Sequence, residues 1–71
     1  QPLFHLASAL SWFRQGLYYR AQQSFALAGD QSSPLRDVQL FFWAESLFHQ
    51  AQYKMALTYY RKLIYYVVKV V

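Results

Sequence analysis

Residues 9–28 read ALSWFRQGLYYRAQQSFALA, and 35 positions further on residues 44–63 read AESLFHQAQYKMALTYYRKL. Six aligned positions are identical: Ala9 with Ala44, Ser11 with Ser46, Phe13 with Phe48, Gln15 with Gln50, Tyr18 with Tyr53, and Ala21 with Ala56. Unrelated sequences would share roughly one or two residues in such a window, given ordinary residue frequencies. The chain therefore uses one structural unit twice.

Each unit is predicted to be a pair of helices. Apolar residues recur from Leu3 onward at the three- and four-residue spacing of a helix face, until Gly16, which suits a left-handed helix end, interrupts them. The second helix is expected to stop at Gly29, and Ser33 before Pro34 has the pattern of an N-cap followed by a first helical residue. The second, third and fourth helices are expected over about residues 18–28, 35–50 and 53–66.

The same repeat divides the chain into parts. Residues 1–34 form the first unit, residues 35–66 form the second, and residues 67–71 are a tail or the start of a next element. This β-branched tail could be a last helical turn, a loop or a cut end. Because the chain begins at Gln1 and stops within an apolar run, we expect it to be a piece of something longer.

Helix pairs that repeat about every 34 residues are typical of the tetratricopeptide family, and the chain resembles that family at its spacing-critical positions. These positions are Ala9, Trp12, Phe13, Gly16, Tyr18, Ala21 and Phe25 in the first unit, and Ala44, Leu47, Phe48, Ala51, Tyr53, Ala56 and Tyr60 in the second. The resemblance implies an all-α fold of two degenerate repeats, with four antiparallel helices forming part of an α-solenoid. Small residues such as Ala9 and Ala21 would let helices approach closely, and Phe25 would fill the groove that they leave. The alternative is a pair of ordinary helical hairpins whose similarity is accidental.

A closer resemblance covers about residues 15–61. It is carried by the run from Ala44 to His49 and by Tyr53, Ala56 and Tyr60 after it, with residues 16–18, the 30–34 loop and residues 39–40 in matching order before it. These residues are similar to the N-terminal repeats of the tetratricopeptide subunits of the anaphase-promoting complex, a cell-cycle ubiquitin ligase. The resemblance implies a scaffold that catalyses nothing itself, pairs as a homodimer and positions other protein subunits. It also implies a location in the nucleus and cytoplasm.

The first helix of each unit is expected to line a concave groove, as in helix-pair solenoids. The family's groove positions correspond here to Leu3, Leu6, Leu10, Phe13 and Arg14, and to Val38, Phe41, Glu45, Phe48 and His49. This surface is mostly apolar, which indicates a protein partner, a neighbouring repeat or a second copy of the chain. Members of the family that clamp a peptide carboxylate use Lys, Arg and Asn at these positions. In this chain only Arg14 matches them, so a co-chaperone function is disfavoured.

The inventory of reactive side chains argues against an enzyme. The chain has no Cys, and neither His5 nor His49 has a His, Asp or Glu three or four residues after it. Helical metal pairs need that spacing to place both ligands on one face. We therefore expect no catalytic residue, no metal and no cofactor, and we interpret Glu45 and His49 as one structural contact along a helix.

Composition and charge argue against three classes of protein: disordered, nucleic-acid-binding and membrane-spanning. A chain that is 56% apolar and 14% charged is not intrinsically disordered. Seven Lys and Arg against three Asp and Glu give a net charge of +4, but the basic residues are scattered, which disfavours nucleic acid as a partner. The longest apolar run, residues 63–68, is too short to span a bilayer. Two alternatives stay open: an adaptor in another assembly, and a membrane-associated hairpin anchored by residues 63–71.

Overall fold

Four α-helices make up nearly all of the computed structural model, which describes residues 2–70. The helices are α1 (Pro2–Arg14), α2 (Tyr18–Ala28), α3 (Leu35–His49) and α4 (Tyr53–Val70), and the described residues contain no β-strand. The predicted all-α class is confirmed. The helix limits follow the predicted ones to within a residue or two, except that α4 continues beyond residue 66.

The turns after α1 and α3 share one backbone geometry. Gly16 and Ala51, which are 35 residues apart, both adopt the left-handed conformation, with φ of 77° and 61°. The amides that close the two turns donate at 2.9–3.0 Å: Gly16 to Phe13, Leu17 to Trp12, Ala51 to Phe48, and Gln52 to Leu47. This is the Schellman pattern, which satisfies carbonyls that a helix end would leave free. The left-handed end predicted at Gly16 is confirmed, and the repeat extends to backbone geometry at Ala51.

The observed limits of α2, α3 and α4 agree with the predicted limits at some ends and differ at others. Helix α2 ends at Ala28 with Gly29 as its C-cap, as the sequence predicts. The N-cap prediction for Ser33 is wrong, because Pro34 occupies that position and carries no side-chain cap. The Pro34 carbonyl accepts the first helical bonds of α3, so Ser33 lies one residue outside the helix start. The ambiguous tail is the last turn of α4 as far as residue 70, and residue 71 lies outside the described part.

The helices pack in chain order. Helix α1 packs on α2, α2 on α3 and α3 on α4, and α1 also contacts α3. Among the described residues, α4 has α3 as its only helical neighbour, so one flank of α4 is left without a partner.

Alanines lie where the helices meet. Ala9, Ala21 and Ala44 are fully buried and Ala56 is 1% exposed, so the backbones around them approach closely. Phe25 is also fully buried and faces the Trp43 ring of α3, with 6.4 Å between centroids. Of the other residues assigned to repeat packing, Trp12, Tyr18 and Tyr60 are half-buried and Tyr53 is exposed.

Candidate interaction surface

The ten residues predicted to line a concave groove do not form one continuous open strip. Five are exposed (Leu3, Arg14, Phe41, Phe48 and His49), four are half-buried (Leu10, Phe13, Val38 and Glu45), and Leu6 is buried. The prediction that Leu6 lies at an open surface is wrong, because it belongs to the core formed with α2. Leu10 and Phe13 pack against the same core. The exposed large apolar residues of the set are Leu3 in α1, and Phe41 and Phe48 in α3.

The interface between the first unit and α3 shows how this repeat accepts a following helix. Two aromatic pairs cross this interface: Phe13 lies edge-on to Phe42 with centroids 5.0 Å apart, and Tyr18 stacks on His49 at 4.5 Å. Two glutamines donate hydrogen bonds across it. Gln50 donates to Gln22 at 2.8 Å, and Gln39 donates to the carbonyls of Phe25 and Gly29 at 3.0 and 2.8 Å. Helix α3 therefore covers a surface that runs from the end of α1 to the end of α2.

The corresponding surface of the second unit is bare. Adding 35 to residues 6, 13, 18, 22 and 29 gives Phe41, Phe48, Tyr53, Leu57 and Ile64. Their exposed fractions are 40, 48, 60, 45 and 59%, whereas in the first unit Leu6 is buried, Phe13, Tyr18 and Gln22 are half-buried and Gly29 is exposed. We call these five residues the open face. Every one of them is apolar or aromatic, Phe48 touches Tyr53, and Tyr53, Leu57 and Ile64 share one side of α4, so the surface is suited to burial.

Aromatic contacts and one hydrogen bond order this open face. The ring of Tyr53 lies edge-on to Phe48 at 5.3 Å, and the ring of Phe41 lies edge-on to Tyr60 at 6.5 Å. The Tyr60 hydroxyl donates to the Glu45 carboxylate. Desolvation, followed by the hydrogen bond and the charge of Glu45, raises the pKa of Tyr60 to about 12. The open face is thus backed by a fixed aromatic layer between α3 and α4.

Two predicted contacts are placed differently. Tyr53, assigned to packing within the repeat, is exposed because no helix covers the start of α4, and it packs on Phe48 alone among aromatic rings of the described part. The Nε2 atom of His49 is 4.0 Å from the Glu45 carboxylate, which is too long for a hydrogen bond. His49 instead stacks on Tyr18, and Glu45 accepts from Tyr60.

The remaining histidine and the acidic side chains do not gather into a metal site in the described part of the chain. His5 packs edge-on against Phe4 with ring centroids 5.6 Å apart. Within residues 2–70, no three His, Asp or Glu side chains gather so that they could hold a metal ion. None of the four helices described is long and apolar enough to cross a membrane.

Comparison of the chain with protein-family models, with curated proteins and with solved structures gives no match.

Proposed function

We propose that this chain is a non-catalytic interaction module built from two tetratricopeptide-like repeats of an α-solenoid. The observation that carries the proposal is the contrast between the two units. Four positions of the first unit, at residues 13, 18, 22 and 29, contact α3 or its C-cap, whereas no helix among the described residues covers the open face of the second unit. A surface at the same place on the second unit is suited to accept a helix, here through apolar contacts.

The energetics favour occupation of the open face. Complete burial of a large apolar side chain is worth about 1.5–3 kcal/mol relative to exposure. The five residues of the open face are 40–60% exposed, so each stands to gain part of that amount when a helix covers it. Aromatic residues near the centre of such a patch, here Phe48 and Tyr53, commonly dominate the binding energy.

The proposed occupant is a second copy of the chain, which makes the module a homodimer. This agrees with the resemblance of about residues 15–61 to the N-terminal repeats of subunit 7 of the anaphase-promoting complex, whose tetratricopeptide subunits pair through such repeats. In that setting the chain positions other protein subunits of a cell-cycle ubiquitin ligase in the nucleus and cytoplasm. It contributes no catalytic group, metal or cofactor of its own.

The test is self-association measured by light scattering over a range of protein concentrations. Phe48→Glu and Leu57→Glu place a charge on the open face at exposed positions, so helix content by circular dichroism should stay near that of the parent. The parent should dimerise, and both variants should be monomeric because an unpaired carboxylate would be buried in the interface.

Leu27→Glu is the matched control, because Leu27 is 65% exposed on α2 and is not part of the open face. This variant should dimerise like the parent. A parent that stays monomeric at every concentration would refute self-association. Dimers that survive in both open-face variants would show that the contact lies elsewhere.

A further inference from the structure

A second surface lies on roughly the opposite side of α4 from the open face. A groove of about 730 Å³ runs between the end of α2, the start of α3 and the middle of α4. We call this concavity the basic groove. Its lining includes three cationic and three aromatic side chains: Arg36, Arg61, Lys62, Trp43, Tyr59 and Tyr66. The turn of about 100° per helical residue separates Tyr59, Lys62 and Tyr66 from the open face, and it places Arg61 between the two surfaces.

The aromatic rings of the basic groove are already stacked. Trp43 lies on Tyr59 with centroids 4.3 Å apart and faces Phe25 at 6.4 Å. The guanidinium carbon of Arg36 is 3.7 Å from the Tyr66 ring centroid, and the Lys62 ammonium is 5.0 Å from that of Tyr59. Tyr59 and Tyr66 therefore support cations by cation–π contact, and the faces at which Trp43 and Tyr59 meet are closed to a planar ligand.

The charges of the basic groove are unbalanced. Its lining contains Arg36, Arg61 and Lys62 against one carboxylate, Asp30. The Arg36 Nε atom is 3.7 Å from Asp37, with no hydrogen bond to it, while about a quarter of the Arg36 side chain stays accessible. In the part of the chain that the structure describes, Arg61 and Lys62 pair with no carboxylate. Three cations therefore line one concavity, and among them Arg61 and Lys62 have no paired carboxylate in the described part of the chain.

We propose that the basic groove binds a short acidic segment of a partner protein, with carboxylates paired to Arg36, Arg61 and Lys62. The volume falls within the roughly 300–1,000 Å³ that is usual for ligand sites and accommodates a few extended residues. Arg and Lys bind carboxylates by charge-assisted hydrogen bonds, and a partly enclosed groove screens them less than open water does. A nucleic-acid base would need an aromatic face on which to stack, and the facing sides of Trp43 and Tyr59 are closed by their own stack.

The probe is a fluorescein-labelled decaglutamate peptide, titrated by fluorescence anisotropy. The parent should bind it more weakly as salt rises, and a labelled decaglutamine peptide should not bind. The Arg61→Glu, Lys62→Glu double variant should lower the affinity by roughly tenfold or more, because it removes two contacts and adds two repulsive charges.

The matched control is the Arg14→Glu, Lys54→Glu double variant, which changes the net charge equally at exposed positions outside the groove. It should keep the affinity within roughly twofold of the parent, since distant exposed charges are largely screened. Circular dichroism checks that both variants stay helical, and Arg61→Gln with Lys62→Gln replaces the reversal variant if it unfolds.

Three results would overturn the proposal. One is a parent that does not bind decaglutamate at low salt. Another is an equal loss of affinity in the groove and control variants, which would reflect net charge alone. The third is displacement of the peptide by a single-stranded oligonucleotide at lower concentration than by unlabelled decaglutamate, which would assign the groove to nucleic acid. Lys62 lies away from the open face, whereas Arg61 is one helical turn from Leu57 and Ile64, so light scattering checks that the groove variant keeps the oligomeric state of the parent.

Discussion

The two left-handed turns predict that reciprocal substitutions have opposite effects on stability. Gly16→Ala should destabilise the chain, and Ala51→Gly at the equivalent position should stabilise it. Both residues have positive φ, at 77° and 61°, where an L side chain is disfavoured. A Cβ atom added at Gly16 would meet no atom within 4 Å, so the cost is conformational and involves no clash.

The magnitude follows from two opposing terms. An L residue in the left-handed conformation costs roughly 1–2 kcal/mol relative to glycine. Replacing glycine by alanine also removes conformational freedom from the unfolded chain, which returns about 0.4–1 kcal/mol. We therefore expect Gly16→Ala to lower the free energy of unfolding by about 1 kcal/mol, and Ala51→Gly to raise it by a similar amount. For a domain of this size, that corresponds to about 4–8 °C in Tm.

The assay is urea unfolding followed by far-ultraviolet circular dichroism, with an unchanged m-value as the sign of a pure stability effect. Ala7→Gly is the control, because Ala7 is exposed in the middle of α1 and glycine there should destabilise by roughly 0.5–1 kcal/mol. The double variant Gly16→Ala, Ala51→Gly should return close to the parent, since distant sites add. If Ala51→Gly destabilises as Ala7→Gly does, the reasoning about the second turn is refuted.

Three further predictions concern packing, a buried amide and one tyrosine. Ala21→Leu should destabilise by about 1–3 kcal/mol because Ala21 is fully buried between helices, whereas Ala26→Leu on the exposed side of α2 should change thermal stability little. Gln39→Leu should cost about 1–3 kcal/mol in urea unfolding, since it leaves two carbonyl oxygens at the end of α2 without their donor; an unchanged midpoint would contradict this role. The raised pKa of Tyr60, about 12 against an ordinary 10, means that its contribution to stability is complete below pH 10 and is lost as the pH rises toward 12. Glu45→Gln should lower this pKa in a tyrosinate absorbance titration, and a pKa that does not move would exclude the carboxylate as a cause.

Most helix limits could be predicted because two sequence features agree: the glycines that end helices and the spacing of apolar residues along them. Glycine at positions 16 and 29 marks helix ends, and apolar spacing marks the helices between them. The start of α3 could not be placed by the same reasoning, since Ser33 and Pro34 fit an N-cap pattern whose geometry the backbone does not adopt. The length of α4 depended on a β-branched tail, and residue composition alone does not decide whether such a tail continues a helix.

The candidate surfaces were harder to predict than the fold. Assigning the groove to first helices found Phe41 and Phe48 but missed Tyr53, Leu57 and Ile64, which lie on a second helix. The sequence does show that these three residues share one side of a helix and are equivalent to residues 18, 22 and 29. Only the structure shows that residues 18, 22 and 29 contact α3 or its C-cap. The basic groove had no sequence signal, because Arg36 comes from a different helix than Arg61 and Lys62.

The differences between the two units indicate what kind of helix the open face can accept. In the first unit, Gln39 of α3 donates to the Gly29 carbonyl beyond the end of α2, and Gln50 bonds to Gln22. The counterparts of Gly29 and Gln22 are Ile64 and Leu57, and α4 continues past Ile64, so its carbonyls there are engaged within the helix. A helix that docked like α3 but kept both glutamines would bury amides without partners, at a cost of about 1–3 kcal/mol each. The open face therefore favours a helix with apolar residues at those two positions, so a second copy of the chain would dock through a surface other than its α3.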